Sequence, residues 1–203
     1  MYQPDHFRET DTERILALVE ANPFGMLVTV PDGAPFISHL PFLLYRDGTG
    51  IRLLGHMARA NPQWRHLAEG REVLVVFQGP HAYVSPGWYA PPIGVPTWNY
   101  AVAHLRGTPH LIEDETELDN LLQAMTRLFE ADLPAPWQAD LAPEQRARLL
   151  AMAVGFEIEV VDIEAKFKLS QNRSEEDRRR VAEALAGSGE AGAAVARLMN
   201  EGR

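Results

Sequence analysis

The order of apolar and polar positions predicts that the chain begins with a short amphipathic helix. The sequence TDTE at 10–13 has the spacing of a capping box, and apolar residues at helical spacing follow it at 15–19. Asn22-Pro23 should end this helix, because a proline disfavours helical backbone at the residue before it.

Period-two patterns predict strands in the next part of the chain. Four strand-like stretches run over 25–30, 36–45, 50–54 and 72–78, and the turn sequences PDG and RDG separate the first three. Such short connections favour antiparallel hairpins. Further strands are predicted at 101–112 and 154–169. The apolar phase of the last one slips by one residue, which suggests a β-bulge near Val160-Val161.

Helical patterns occupy the rest of the chain. Asp114 should cap a helix that is apolar on one face, and Pro143 should open a short one. The tail from Ser174 has the pattern of two helices broken by GSG at 187–189. Together the elements predict a mainly β (α+β) fold, an antiparallel barrel or curled sheet with peripheral helices and a helical C-terminal tail. Small barrels of this kind bind ligands at their mouths or at subunit interfaces.

Composition and charge limit the partners of the protein. The 203 residues are 46% hydrophobic and 23% charged, as in an ordinary globular protein. A formal charge of −9 argues against a surface devoted to nucleic acid, although it leaves room for a local basic patch. The run RSEEDRRR contains Arg178, Arg179 and Arg180, but its acids offset them and favour a solvated helix start. We therefore expect any direct binding of DNA to be weak.

Several kinds of chemistry are excluded by the residues present. The chain has no cysteine, so disulfides, thiolate metal sites and cysteine nucleophiles are absent. Its histidines are scattered without metal-ligand spacing, and no triad or nucleotide-loop motif occurs, so we predict neither a metal site nor a catalytic residue. No apolar run reaches the roughly 18 residues that span a bilayer, and MYQPDH does not resemble a signal peptide. We expect a cytoplasmic protein without membrane association.

The sequence GHMARANPQW, at 55–64 and called the junction below, is too polar for a core strand. Asn61 is a favoured N-cap and Pro62 suits the first helical position, so a helix should begin here. With Arg59 before the cap and Arg65 in the first turn, the helix start could bind a phosphate group. The alternative is that the helix binds nothing and that both arginines are solvated.

Two aromatic loops and one strand end are further candidates. VPTWNY (95–100) and YVSPGWY (83–89) place flat aromatic rings beside polar groups, which suits a planar heterocycle or, equally, an aromatic plug in a loop. KFKLSQNR (166–173) offers a cation and two amides where the last strand ends. These groups could bind a ligand's carbonyls and hydroxyls, or they could simply be the polar residues that follow the strand.

Five of these motifs, in this order, resemble those of one known family. MYQPDHF, HMARANPQW, YVSPGWY, VPTWNY and KFKLSQNR are similar to motifs of the PaiB-type FMN-binding negative transcriptional regulators, and the resemblance runs from Met1 to about Leu198. It implies an FMN-binding split β-barrel, related to pyridoxamine-phosphate oxidases, that forms a homodimer with flavin at the subunit interface. The implied organisation is a split-barrel domain at 1–172 with a helical extension of the same domain at 173–203.

The resemblance also implies which residues bind FMN. The junction would hold the phosphate and ribityl chain, the strand FISHLPF would follow the isoalloxazine ring, VPTWNY would close over it, and the end of the last strand would approach from the same or the partner subunit. The implied cofactor-binding residues are Ser38, His39, Leu40, His56, Arg59, Asn61, Trp64, Thr97, Trp98, Asn99, Lys168, Gln171 and Asn172.

Three functions remain open on these grounds. The first is a flavin-bound negative regulator that acts on DNA or through a partner protein, and the second is an FMN-dependent oxidoreductase of a small molecule. The third is an interface-forming scaffold with a degenerate flavin pocket. The small, apolar stretch APPIGVP at 90–96 departs from the other motifs and could shape an open substrate space. Because a flavin carries its own electron-transfer chemistry, the absence of a visible triad does not separate these functions.

Overall fold

The computed structural model describes residues 1–91 and 94–201, which form seven strands and six α-helices. The strands are β1 (Arg8–Glu9), β2 (Phe24–Thr29), β3 (Phe36–Asp47), β4 (Gly50–Ala58), β5 (Val73–Val84), β6 (Thr97–Ile112) and β7 (Ala153–Lys168). The helices are α1 (Thr12–Ala21), α2 (Gln63–Ala68), α3 (Glu115–Glu130), α4 (Pro143–Ala151), α5 (Glu175–Ala186) and α6 (Glu190–Glu201). Single 3-10 turns lie at Asp5–Phe7 and Pro86–Trp88.

The strands pair in the order β1-β7-β4-β3-β2-β5-β6, and β7 pairs additionally with β6. The pairings of β7 with β1 and β4, of β2 with β3 and β5, and of β3 with β4 are antiparallel. The pairing order thus returns to β7, which is the connectivity of a barrel. Within the described ranges, no helix is both long and apolar enough to cross a membrane.

The chain divides into two compact units. The first comprises residues 1–22, 77–104 and 164–203, and its core includes Phe7, Phe167 and the facing sides of α5 and α6. The second comprises residues 23–76 and 105–163, and it contains all of β2, β3 and β4 together with α2, α3 and α4.

Two glycines allow close packing in the second unit. Gly55 lies opposite Phe156 in the β4–β7 register, and a Cβ on Gly55 would lie 2.6 Å from the end of the Phe156 ring. A Cβ on Gly107 would lie 2.2 Å from the carbonyl oxygen of Glu159. Both distances are far below van der Waals contact, so any side chain here would displace the neighbouring strand or ring.

Several predicted boundaries were wrong. The strand predicted to end at Leu54 continues to Ala58, so the first four residues of the junction belong to β4, with Gly55 and Met57 buried. The first helix is capped by Asp11 instead of the predicted TDTE box starting at Thr10, because the Asp11 carboxylate accepts hydrogen bonds from the backbone of Glu13 (3.0 Å) and Arg14 (3.4 Å).

Other predictions about the elements were confirmed. Asp114 caps α3 and Ser174 caps α5 through side-chain oxygens, and Pro143 is the first residue of α4. The tail forms two helices that separate at Gly189, whose φ of +96° favours glycine. The predicted bulge at Val160-Val161 stays a prediction.

Candidate functional site

The residues implied as cofactor-binding lie in both units. In the second unit are Ser38, His39, Leu40, His56, Arg59, Asn61 and Trp64. In the first unit are Thr97, Trp98, Asn99, Lys168, Gln171 and Asn172.

Asn61 organises the polar part of the junction. Its Oδ1 accepts a hydrogen bond from the backbone N–H of Gln63 (3.1 Å), and its Nδ2 donates to Oγ of Ser38 (2.8 Å). The helix begins at Gln63 with Pro62 in the cap position, so the prediction of Asn61 as the N-cap was wrong by one residue. The reason is that the Asn61 side chain bridges over Pro62 in a local turn. Because α2 has only six residues, its dipole is small.

Arg59 binds backbone carbonyls at the start of β7. Its Nε donates to the oxygen of Ala151 (2.9 Å) and its Nη2 to that of Ala153 (3.0 Å), while its own backbone N–H donates to Met152 (2.8 Å). Trp64 in turn donates its indole N–H to the Arg59 carbonyl (3.0 Å). The guanidinium is therefore held in one orientation, with Nη1 not engaged in these two bonds.

Gln63 is a buried residue of the junction that the sequence analysis missed. Its Nε2 donates to the carbonyl oxygens of Leu27 (3.1 Å) and Phe36 (3.1 Å) and to Oγ1 of Thr29 (3.2 Å). Its Oε1 is buried without a hydrogen-bond partner among the described residues. A glutamine after Asn-Pro is unremarkable in a sequence, and only its complete burial identifies it as the centre of a polar network.

The candidates on β3 do not share one face. Successive side chains of a strand point to opposite faces, so Ser38 and Leu40 lie on one face and His39 lies on the other. Ser38 and Leu40 are half-buried, while His39 is exposed and its ring stacks near that of Phe24, with centroids 6.3 Å apart.

His56 lies against α3 and makes no hydrogen bond to Arg59, Asn61 or Trp64. The imidazole is half-buried, and its Nδ1 is 3.3 Å from Sδ of Met125. Burial lowers the pKa of His56 from its ordinary value, because the charged ring loses hydration. This environment favours a neutral, packed ring.

In the first unit, a pocket of about 580 Å³ brings together three candidates, Thr97, Trp98 and Lys168. The Lys168 ammonium donates to the carbonyl oxygen of Trp98 (2.6 Å) and to the Thr97 hydroxyl. We call this the lysine pocket, and its principal lining residues are Tyr2, Phe7, Trp98, Tyr100, Lys166 and Lys168.

The lysine pocket combines positive charge with aromatic surface. Lys166 is 8% exposed, and its Nζ lies 5.2 Å from the ring centroid of Tyr2 and 5.6 Å from that of Tyr100. The pKa of Lys168 is lowered by burial and by the nearby charges of Lys166 and Arg173. Lys166 and Lys168 are the two lysines of the chain. Their crowding favours an anionic or electron-rich partner, since such a partner would relieve the repulsion.

The other three candidates of the first unit are less accessible or do not line the pocket. Asn99 is buried and donates to Oγ of Ser170 (2.9 Å). The side chain of Gln171 bonds the backbone of Leu169 and Phe167, which supports the turn after β7, and Asn172 is exposed. Of the stretch APPIGVP, residues 92 and 93 lie outside the described residues.

The residues that the amino terminus contributes to the pocket were not among the predicted cofactor-binding residues. Tyr2 and Phe7 belong to the MYQPDHF motif, which served only as part of the resemblance. The period-two spacing of Lys166 and Lys168 was the available signal, because it places both cations on one face of a strand.

The sequence profile of a family described as "Putative FMN-binding domain" matches residues 1–162. The chain is 42% identical over 187 residues to the protease synthase and sporulation protein PAI 2 of Bacillus subtilis, covering 91% of this chain and 89% of that protein. It is 32% identical over 244 residues to an uncharacterized protein of Emericella nidulans, covering 99% and 97%.

Solved structures share the fold. The FAD and heme binding protein from Mycobacterium smegmatis has a TM-score of 0.63 at 22% identity, covering 84% of this chain and 78% of that one. The flavocytochrome Anf3 from Azotobacter vinelandii has a TM-score of 0.60 at 18% identity, covering 85% and 75%. With the strand pairing, these likenesses confirm the predicted antiparallel split barrel. The profile match confirms the resemblance and FMN as its cofactor, and the chain belongs to this family of FMN-binding domains.

Proposed function

We propose that the protein is an FMN-binding negative transcriptional regulator that acts as a homodimer. The observation that carries the flavin part is the lysine pocket, where both lysines of the chain meet aromatic rings. The regulatory part is supported by the 42% identical Bacillus relative, whose name refers to protease synthesis and sporulation. A cytoplasmic location stays a prediction.

The chemistry of the lysine pocket fits FMN. The cofactor is anionic at its phosphate and carries electron-rich carbonyl oxygens on a flat ring, so it suits ammonium groups beside aromatic faces. The pocket volume of about 580 Å³ lies in the usual range for small-molecule sites. When bound, FMN supplies one-electron or two-electron transfer.

The protein's own residues would hold and orient the ligand. The Lys168 ammonium is fixed by the Trp98 carbonyl and the Thr97 hydroxyl, so it can approach a ligand oxygen with little loss of side-chain entropy. An anionic ligand beside it would raise the pKa of Lys168 back toward its ordinary value, because a nearby negative charge favours the protonated amine.

Titration of the full chain with FMN, followed by quenching of flavin fluorescence, tests this proposal. We expect saturable binding and a shift of the flavin absorption bands. Unchanged fluorescence and absorption across micromolar protein concentrations would contradict the flavin assignment.

We retain Arg59 and Asn61 as candidates for the phosphate and ribityl chain. The two carbonyl contacts of Arg59 hold the guanidinium in place, which lowers the entropic cost of binding an anion through the remaining nitrogen. Ser38, Leu40 and Trp64 would support this group, and the exposed His39 would contact the ring only from the other strand face.

The means of repression is either direct contact with DNA or contact with a partner protein. In α5, Arg179 pairs with Glu183 (2.6 Å) and Arg180 donates to the carbonyl oxygen of Trp88 (2.9 Å). Two of the three clustered arginines therefore already have intramolecular partners, which favours weak direct binding. Electrophoretic shift assays with promoter fragments, with and without FMN, distinguish the two routes.

The homodimer is proposed because apolar side chains are exposed on β2 and β3. Phe24 is 65% exposed and Ile37 is 49% exposed, and self-association is the usual way to bury such surface. Light scattering should give twice the chain mass of 22.7 kDa. A monomer mass throughout the micromolar range would contradict the proposal.

An FMN-dependent oxidoreductase acting on a small molecule is the second candidate function. Trp98 is 52% exposed at the lysine pocket, so a second small molecule could reach a flavin bound there. Photometric reduction of the bound flavin by a nicotinamide donor tests it. Turnover would favour the enzyme, and a flavin that such donors do not reduce would favour the regulator.

A further inference from the structure

A groove of about 480 Å³ lies in the second unit between α3, α4 and the segment that links them. Its apolar walls are formed by Leu122, Trp137, Leu141 and Leu149. Trp137 is 56% exposed and Leu149 is 48% exposed, so these two side chains present apolar surface to solvent. Exposed apolar surface of this kind in a concave site is typical of ligand binding.

The groove is built by specific contacts. Arg146 of α4 binds both carboxylate oxygens of Asp119 in α3, at 2.9 and 2.7 Å. The backbone N–H of Trp137 donates to Oε2 of Glu130 (2.6 Å), which fastens the linking segment to the end of α3. These contacts hold α3, α4 and the linking segment in place around the groove.

One positive charge at the groove is not compensated. Arg127 lines the groove and is exposed, and it makes no ion pair with another described residue. Arg146 is neutralised by Asp119, so Arg127 leaves the lining with a net positive charge in a chain of formal charge −9.

We propose that this groove is an effector site for small apolar anions such as aryl carboxylates. The Trp137 ring and the leucines would cover the apolar body, and Arg127 would bind the carboxylate through charge-assisted hydrogen bonds. The volume of the groove suits a one-ring or two-ring molecule. This site is separate from the residues proposed for FMN and does not depend on flavin binding.

The location of the groove provides a route for regulation. Its wall includes Leu122 and Thr126 of α3, and the neighbouring Met125 contacts His56 of β4. A ligand that orders α3 would therefore act on the strand that leads into the junction.

Calorimetric titration of the full chain with 2-naphthoate and with uncharged 2-naphthamide tests the proposal. We expect the carboxylate to bind more tightly, and Arg127→Gln to weaken it about tenfold while leaving the amide unchanged. Arg148→Gln is the matched control, because Arg148 is exposed on α4 but does not line the groove. Leu149→Gln should weaken both probes.

Three outcomes would overturn the proposal. The first is no saturable binding of 2-naphthoate to the folded wild-type chain, and the second is equal affinity of the Arg127 and Arg148 variants. The third is that Leu149→Gln changes the oligomeric mass without changing the affinity for 2-naphthoate, which would make the groove an interface between two copies of the chain. Because all three substituted side chains are exposed, far-UV circular dichroism should show intact folds.

Discussion

The junction and the lysine pocket differ in how their polar groups are placed. At the junction, Gln63 is buried and bonds the backbone of β2 and β3, while Arg59 is exposed and bonds the start of β7. In the lysine pocket, two ammonium groups are buried or half-buried beside each other. Charges in water are screened and charges in a low-dielectric site are not, so the lysine pocket should contribute more to ligand affinity and the junction more to stability.

The largest effect should come from Gln63→Leu. The change removes the three hydrogen bonds that Gln63 donates to the carbonyl oxygens of Leu27 and Phe36 and to the Thr29 hydroxyl, so we expect a loss of about 3 kcal/mol in the free energy of unfolding. Urea denaturation measures it, with exposed Gln78→Leu as the control. A variant of normal stability that no longer binds FMN would contradict a mainly structural role of the junction, because Gln63 would then contribute to ligand binding.

Lys168→Gln should have the next largest effect. This change should lower the affinity for FMN and leave the stability of the fold almost unchanged. Removing a partly buried ammonium should weaken FMN binding about thirtyfold, which corresponds to a charge-assisted hydrogen bond of roughly 2 kcal/mol. Stability should hardly fall, because the repulsion from Lys166 and Arg173 is removed as well. Fluorescence titration and urea denaturation of the same samples separate the two effects. Unchanged FMN affinity would exclude Lys168 from the site.

Arg59→Ala should weaken FMN binding about tenfold and riboflavin binding much less, since riboflavin lacks the phosphate. The factor is smaller than for Lys168 because Arg59 is exposed. Titration of both flavins against both proteins measures it. Equal losses for the two flavins would restrict Arg59 to its contacts with Ala151 and Ala153, and Arg65 would become the candidate for the phosphate.

The smallest effect should be the pH dependence caused by His56. Because burial lowers its pKa below the ordinary 6.5, the unfolded chain takes up a proton at a higher pH than the folded protein does. The stability that neutral His56 contributes is complete above its ordinary pKa and is lost as the pH falls through the folded value. Between about pH 7 and pH 5, unfolding free energy should therefore fall more in wild type than in His56→Gln.

Exposed His110→Gln is the control for this experiment and should follow the wild type. If FMN affinity follows the titration of His56 while stability does not, His56 belongs with the cofactor-binding residues. The junction would then contribute to ligand affinity as well as to stability.

Element types could be predicted from sequence because local patterns determine them. The caps at Asp114 and Ser174 and the break at 187–189 follow from side-chain chemistry within a few residues. The fold class followed from strand count and turn length, and the cofactor followed from the family motifs.

The allocation of candidate residues to faces could not be predicted in the same way. Strand alternation puts the adjacent Trp98 and Asn99 on opposite faces, but it does not say which face is buried. Asn99 is buried against Ser170, and Trp98 is exposed in the lysine pocket. His56 contacts Met125, which is 69 residues away in sequence. Such contacts depend on strand register and helix docking, which a short motif does not encode.

The presence of only two lysines, both in one pocket, makes limited proteolysis informative. A protease specific for lysine has its cleavage sites confined to the bonds after Lys166 and Lys168, and cutting there separates α5 and α6 from the rest of the chain. Because Lys166 is buried in β7, cleavage there requires local opening of the strand. The rate of the cut after Lys166 would therefore report how often this part of β7 opens, and a ligand bound in the lysine pocket would slow that cut.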